Sequence, residues 1–92
     1  MKRIEQLVSE IAKLQNKATS HAQAIEMGLS HYYAVDHNSV YGGYRVDNVN
    51  VESGSHSGTF GESSCVNRRS MKKMVSFLEG VLFGIEYSQK VK

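Results

Sequence analysis

Arg68, Arg69, Lys72 and Lys73 place four positive charges within six residues, around Ser70 and Met71, where a helix is predicted to begin. A helix N-terminus already carries unpaired N–H groups and about half a positive charge, so stable first turns favour Asp or Glu. Four cations there have the wrong sign unless an anion completes the arrangement. With Ser70 as N-cap, the free N–H groups of the first turn and these side chains can converge on a phosphate or carboxylate. Arg68 and Arg69 would supply forked contacts and Lys72 and Lys73 point charges. Two other readings stay open: pairing with acids of the middle segment, Asp47, Glu52 and Glu62 among them, or simple solvation.

The second group with chemical potential is aromatic. Tyr32, Tyr33, Tyr41 and Tyr44 surround Gly42-Gly43, with Arg45 following Tyr44. Tyr41 or Tyr44 stacked on a base, with arginines on its phosphate, would make a nucleotide pocket. Tyrosines at such spacing are also ordinary half-buried strand residues with the hydroxyl at the surface. Tyr-Gly-Gly-Tyr is not a phosphate loop, having neither GxGxxG nor a terminal Gly-Lys-Ser/Thr.

The residues argue against catalysis. His21, His31, His37 and His56 include no helical i, i+4 pair, and His31 and His37 fall in an expected loop. Cys65 is the only cysteine and has no activating neighbour in sequence. Asp36-His37 has the chemistry of an oriented imidazole, but adjacent residues rarely adopt that geometry. No triad, carboxylate pair, metal set or cofactor motif is legible, and a non-enzymatic protein is expected.

Ninety-two residues bury little over half of the surface that their unfolded chain exposes, and a lone cysteine cannot form an intrachain disulfide. Self-association is the remaining aid to stability, so a homo-oligomer is expected. The net charge of +2 is unevenly placed. Residues 31–66 hold Asp36, Asp47, Glu52 and Glu62 against Arg45, whereas residues 67–92 hold six cations against Glu79 and Glu86. A local anion site fits this better than a nucleic-acid surface, which would be basic throughout. The start of the chain lacks the apolar stretch of a signal peptide, and Met74 to Ile85 is too short to span a bilayer. A cytoplasmic protein without membrane contact is expected.

The elements that must position these residues read as α+β within a single domain, 1–92. Ile4, Leu7, Ile11, Leu14, Ala18, His21 and Ile25 alternate steps of three and four, predicting one long helix over 1–29 that Gly28 caps. Ile at a and Leu at d fit a parallel coiled coil, yet the flanking positions form no g/e salt bridge, so packing on the C-terminal helix is an equal reading. A β-hairpin is expected in 41–66, from Tyr44, Val46, Val49 and Val51 through a Ser/Gly turn to Thr59-Phe60. The slip in alternation at Asp47-Asn48 suggests a bulge, and a third short strand is expected near Cys65-Val66. The helix over 69–90 presents Met71, Met74, Val75, Leu78, Val81, Leu82 and Ile85, and Phe77 and Phe83 widen its apolar face until a second buried face is implied.

The stretch Arg68-Arg69-Ser70-Met71-Lys72-Lys73-Met74-Val75-Ser76-Phe77-Leu78-Glu79-Gly80 resembles the ending of many small tailed-phage accessory proteins, and Tyr41-Gly42-Gly43-Tyr44-Arg45-Val46 resembles their strand entry. The order of long helix, β segment and basic-headed helix is similar to phage anti-defence sponges, which oligomerise and sequester cyclic nucleotide immune signals. The resemblance implies a homo-oligomer binding a phosphate-bearing small molecule, with Arg68, Arg69 and Lys72 on phosphate. The alternative is a coiled-coil interaction module that binds a host or virion protein.

Overall fold

The computed structural model describes residues 2–38, 42–57 and 68–90. Their order is α1 (Lys2–Gln15), α2 (His21–Met27), β1 (His31–Asn38), β2 (Gly43–Asn50), β3 (His56–Ser57) and α3 (Met71–Lys90). The α+β architecture expected from the sequence is present, with three differences in detail.

The long N-terminal helix is two helices. α1 ends in a Schellman motif: Asn16 takes a left-handed φ of 58°, Lys17 N–H donates to Ala12 O at 2.8 Å and Asn16 N–H to Lys13 O at 3.3 Å. Ser20 then caps α2 by accepting from Gln23 N–H, while Gln23 Oε1 accepts from Thr19 N–H at 2.8 Å. Gly28 closes α2 in the same left-handed manner, as expected. The break lets Ala18 leave the helical seam and bridge to β1, where Tyr33 N–H donates to its carbonyl at 2.9 Å. The a/d residues Ile4, Leu7 and Ile11 are fully buried within the chain, whereas Ile25 is exposed.

The hairpin lies upstream of its expected place. β2 pairs antiparallel with β1, a segment read from sequence as loop, in unbroken register from His31 opposite Asn50 to Asn38 opposite Gly43. No bulge interrupts the pairing. The broken alternation has another cause, since β2 buries residues on both faces: Tyr44 and Val46 toward the helices, Asp47 and Val49 away from them. β3 adds two residues on the free edge of β2. The expected return at Thr59-Phe60 and strand near Cys65-Val66 lie outside the described residues.

The core forms where α1 and α3 pack side by side over one sheet face. Ile4, Leu7, Val8, Ile11 and Ala12 of α1 meet Met74 and Leu78 of α3 above Tyr33, Tyr44 and Val46. Burial of these side chains, each worth about 1.5–3 kcal/mol when large and aliphatic, is what holds the layers together. α2 lies by the opposite face, where His21 meets Tyr32 edge to face at 6.0 Å. Among the described residues, no helix is long and apolar enough to cross a membrane.

Candidate functional site

The segment before α3 is bound to the sheet by its backbone. Tyr44 N–H donates to Arg69 O and Arg69 N–H to Tyr44 O, both at 2.7 Å, forming one antiparallel bridge. Gly43 makes the approach possible: a Cβ there would lie 2.3 Å from Arg69 O, and its φ of 119° is strained for any other residue. Ser70 is the N-cap expected from sequence, accepting from Lys73 N–H at 3.3 Å on its side chain and from Met74 N–H at 2.8 Å on its carbonyl. The basic cluster and the start of β2 are therefore together in space.

What the structure does with each cation differs. Arg68 is 9% exposed and faces inward, Nη2 donating to Asp36 Oδ2 and Nη1 to Gly43 O at 2.9 Å. Arg69 lays its guanidinium over the Phe77 ring, 3.9 Å from the centroid, a cation–π contact. Arg45 Nε sits 3.2 Å from Asp47 Oδ2 and 3.5 Å from Asp36 Oδ2. Lys72 and Lys73 are exposed and make no ion pair among the described residues. Tyr44 is buried, with its ring stacked 4.3 Å from that of exposed His37 at an interplanar angle of 16°. Tyr41 lies outside the described residues.

These contacts join into a line of alternating charge across the sheet face opposite α1 and α3, from Arg68 through Asp36, Arg45 and Asp47 to His56. His56 Nδ1 is 2.7 Å from Asp47 Oδ2. The hydrogen bond from Arg68 holds the Asp36 carboxyl below its ordinary range; burial opposes this, and the charges of Arg68, Arg45 and His56 reinforce it. Asp47 is completely buried, and its Oδ1 has no hydrogen-bond partner among the described residues. A buried carboxylate is tolerated only when paired, which is why Arg45 and His56 converge on Oδ2.

Sequence reading brought Arg68, Arg69, Ser70, Tyr44 and Arg45 to one region, but did not identify Asp36 and His37 as their partners, nor the Asp47–His56 contact. The positions of Asp36 and His37 follow from the β1–β2 register, and the Asp47–His56 contact from the pairing of β2 with β3. Among the described residues, no group of three His, Cys, Asp or Glu could hold a metal ion.

The other end of α3 carries the second candidate surface. Phe83 and Tyr87 are 71% and 60% exposed, and their rings stack at 6.4 Å. A separate cleft of about 400 Å³, between α3 and the end of α1, is lined by Leu14, Gln15, Gly80, Val81, Gly84 and Ile85. In comparisons with family models, curated proteins and solved structures, nothing matches this chain.

Proposed function

We propose that this chain is a non-enzymatic, self-associating binding module, assembled through the outward face of α3 and working in the cytosol. The observation that carries the reading is the exposed Phe83–Tyr87 stack on a helix whose opposite face already supplies Met74 and Leu78 to the core. Large aromatics at this exposure mark interaction surfaces, and a chain of 92 residues gains most from such an interface. The coiled-coil form of the reading loses its surface, because Ile4, Leu7 and Ile11 are already covered inside the chain. Sedimentation of the full chain from low to high micromolar concentration should give multiples of 10.3 kDa, and a 10.3 kDa species throughout would overturn the proposal.

A second reading, binding of a phosphate-bearing ligand such as a cyclic nucleotide, is favoured by one observation. The first turn of α3 contains no acid and exposes Lys72 and Lys73 beside the Ser70 cap. Arg68 and Arg45 are engaged within the chain, so the phosphate would rest on Lys72, Lys73 and the cap, and a base would stack on His37 rather than Tyr44. This is the function that the tailed-phage resemblance implies. Calorimetric titration with cyclic nucleotides and inorganic phosphate tests it, and no heat at high micromolar ligand counts against it.

A further inference from the structure

We infer that the outer edge of β1, at Val35 and His37, is a docking site for an extended segment of another protein that carries Lys or Arg over the groove beside it. The segment adds a strand to the sheet. This surface is separate from the α3 face proposed for self-association.

Alternation of the ladder decides which backbone groups face outward. Val51 N–H donates to Ser30 O at 2.8 Å, which makes 30–51 a hydrogen-bonded pair and, at steps of two residues, 32–49, 34–47 and 36–45 as well. The intervening residues of β1 turn their N–H and C=O away from β2. Two contacts agree with this parity. Tyr33 N–H donates outward to Ala18 O at 2.9 Å, and Tyr44, opposite His37, exchanges its bonds with Arg69 on the far side of β2. Val35 and His37 are therefore outward too, and among the described residues no backbone group meets either of them there. Their N–H and C=O groups form a row that an extended backbone satisfies with four hydrogen bonds, the mode of recognition by strand addition.

Edge strands are normally guarded by proline, lysine, a bulge or a covering segment. β1 contains neither proline nor lysine, and its register with β2 is unbroken. The chain covers the first half of this edge itself, through the Ala18 bridge to Tyr32, and departs where Ser20 caps α2. Pairing on this edge is thus already part of the fold, and the next outward residues continue the row.

A groove of about 350 Å³ follows the same stretch, lined by Glu5, Val8, Ser9, Thr19, Tyr33 and Val35. A strand added to β1 turns alternate side chains to the face on which Tyr33 and Val35 lie, so the residue beside Val35 enters the groove. Val8, Tyr33 and Val35 give it apolar walls, and Glu5, exposed on α1, is the charged residue of the lining. Lys or Arg suits both features, with its methylenes along the walls and its charge at Glu5.

A second copy of β1 fits less well. Antiparallel pairing that engages Val35 and His37 of both copies sets residue 35 opposite 37 and Asp36 directly opposite Asp36. Like charges so placed are destabilising, and the groove would receive His37 instead of a long cation.

The test titrates two end-capped heptapeptides, Thr-Val-Thr-Lys-Thr-Val-Thr and its counterpart with Glu in place of Lys, into isotope-labelled full chain, followed by amide NMR and hydrogen exchange. The lysine peptide should shift the Val35 and His37 amides and slow their exchange, and the glutamate peptide should bind about three- to tenfold more weakly. Glu5→Lys should reverse that order. His37→Pro removes an outward donor and leaves the ladder to β2 intact, a place where an edge strand accepts proline, so the chain should fold and bind the lysine peptide about tenfold more weakly. No shift at millimolar peptide, shifts confined to other surfaces, or unchanged binding by a folded His37→Pro chain would each overturn the inference. Equal binding of the two peptides would overturn the assignment of a basic partner. Val35 and His37 amides already protected in dilute chain without peptide would show the edge closed by the chain itself. Protection that grows with protein concentration alone would give the edge to a second copy, and either result would overturn the inference.

Discussion

Arg68, at the head of α3, donates to the Asp36 carboxylate on β1 while its other amino group holds Gly43 O at 2.9 Å on β2. One side chain thus ties the start of α3 to both strands of the hairpin. Read from sequence, Arg68 is the leading phosphate ligand; in the fold it is a brace, and its charge is already met. Arg68→Ala should lower unfolding stability by about 1–3 kcal/mol, because Gly43 O and Asp36 lose a partner near the surface. Urea denaturation measures this, and Asp36→Ala should be largely non-additive with it. Full additivity would sink the brace.

The same pair sets a pH dependence. Asp36 titrates below its ordinary value of 3.8 because Arg68 donates to its ionised form. Between the folded and unfolded values the unfolded chain binds more protons, so stability rises with pH through that window. The contribution is complete above about pH 4 and lost as pH falls through the lower folded value. Urea midpoints followed from neutral into acid should fall in this window, and Asp36→Asn should flatten that part of the curve. An unchanged curve would detach Asp36 from acid stability.

Legibility from sequence followed the range of the interactions. α3 was readable because its periodicity and its cap at Ser70 are local. The break in the N-terminal helix was readable in principle: Ser20-x-x-Gln23 is a capping-box pattern, but the a/d spacing running through Ala18 and His21 masks it. β1 was not readable, because Tyr33 and Val35 face the core while Asp36 faces a charge line that exists only once β2 is paired. Asp36 reaches Arg45 only through that register, and Asp47 meets His56 only through the β2–β3 pairing, so the site's residues were legible and its electrostatics were not.

Gly43→Ala should be among the most damaging small substitutions. The added methyl would lie 2.3 Å from Arg69 O and would force a residue with a side chain to hold φ 119°. Strain of this kind is worth about 1–3 kcal/mol, and the Tyr44–Arg69 bridge must also part. Native-state hydrogen exchange should show protection lost at the Tyr44 and Arg69 amides before the core of α1 is affected. Retained protection at both amides would contradict the close approach.

Leu7→Ala separates the two readings of the N-terminal heptads. Leu7 is fully buried in the core that α1 shares with α3 and the sheet, so truncation should destabilise the chain by about 2–5 kcal/mol at every protein concentration. A dimer seam would instead give a loss that protein concentration could restore. Thermal melts at two concentrations a hundredfold apart distinguish these outcomes.

Lys73→Glu asks whether the head of α3 is built for an anion. The first turn holds no acid, and Lys73 N–H reaches Ser70 Oγ at 3.3 Å, so the N-cap geometry does not depend on the lysine side chain. An acid at this position complements the helix dipole, and the free chain should gain about 0.3–1 kcal/mol, less at high salt. If a phosphate-bearing ligand uses this site, the same substitution should abolish the heat of its binding. The substitution therefore moves stability and binding in opposite directions. A gain in stability with binding heat unchanged would place any phosphate ligand elsewhere and leave Lys72 and Lys73 as solvated charges.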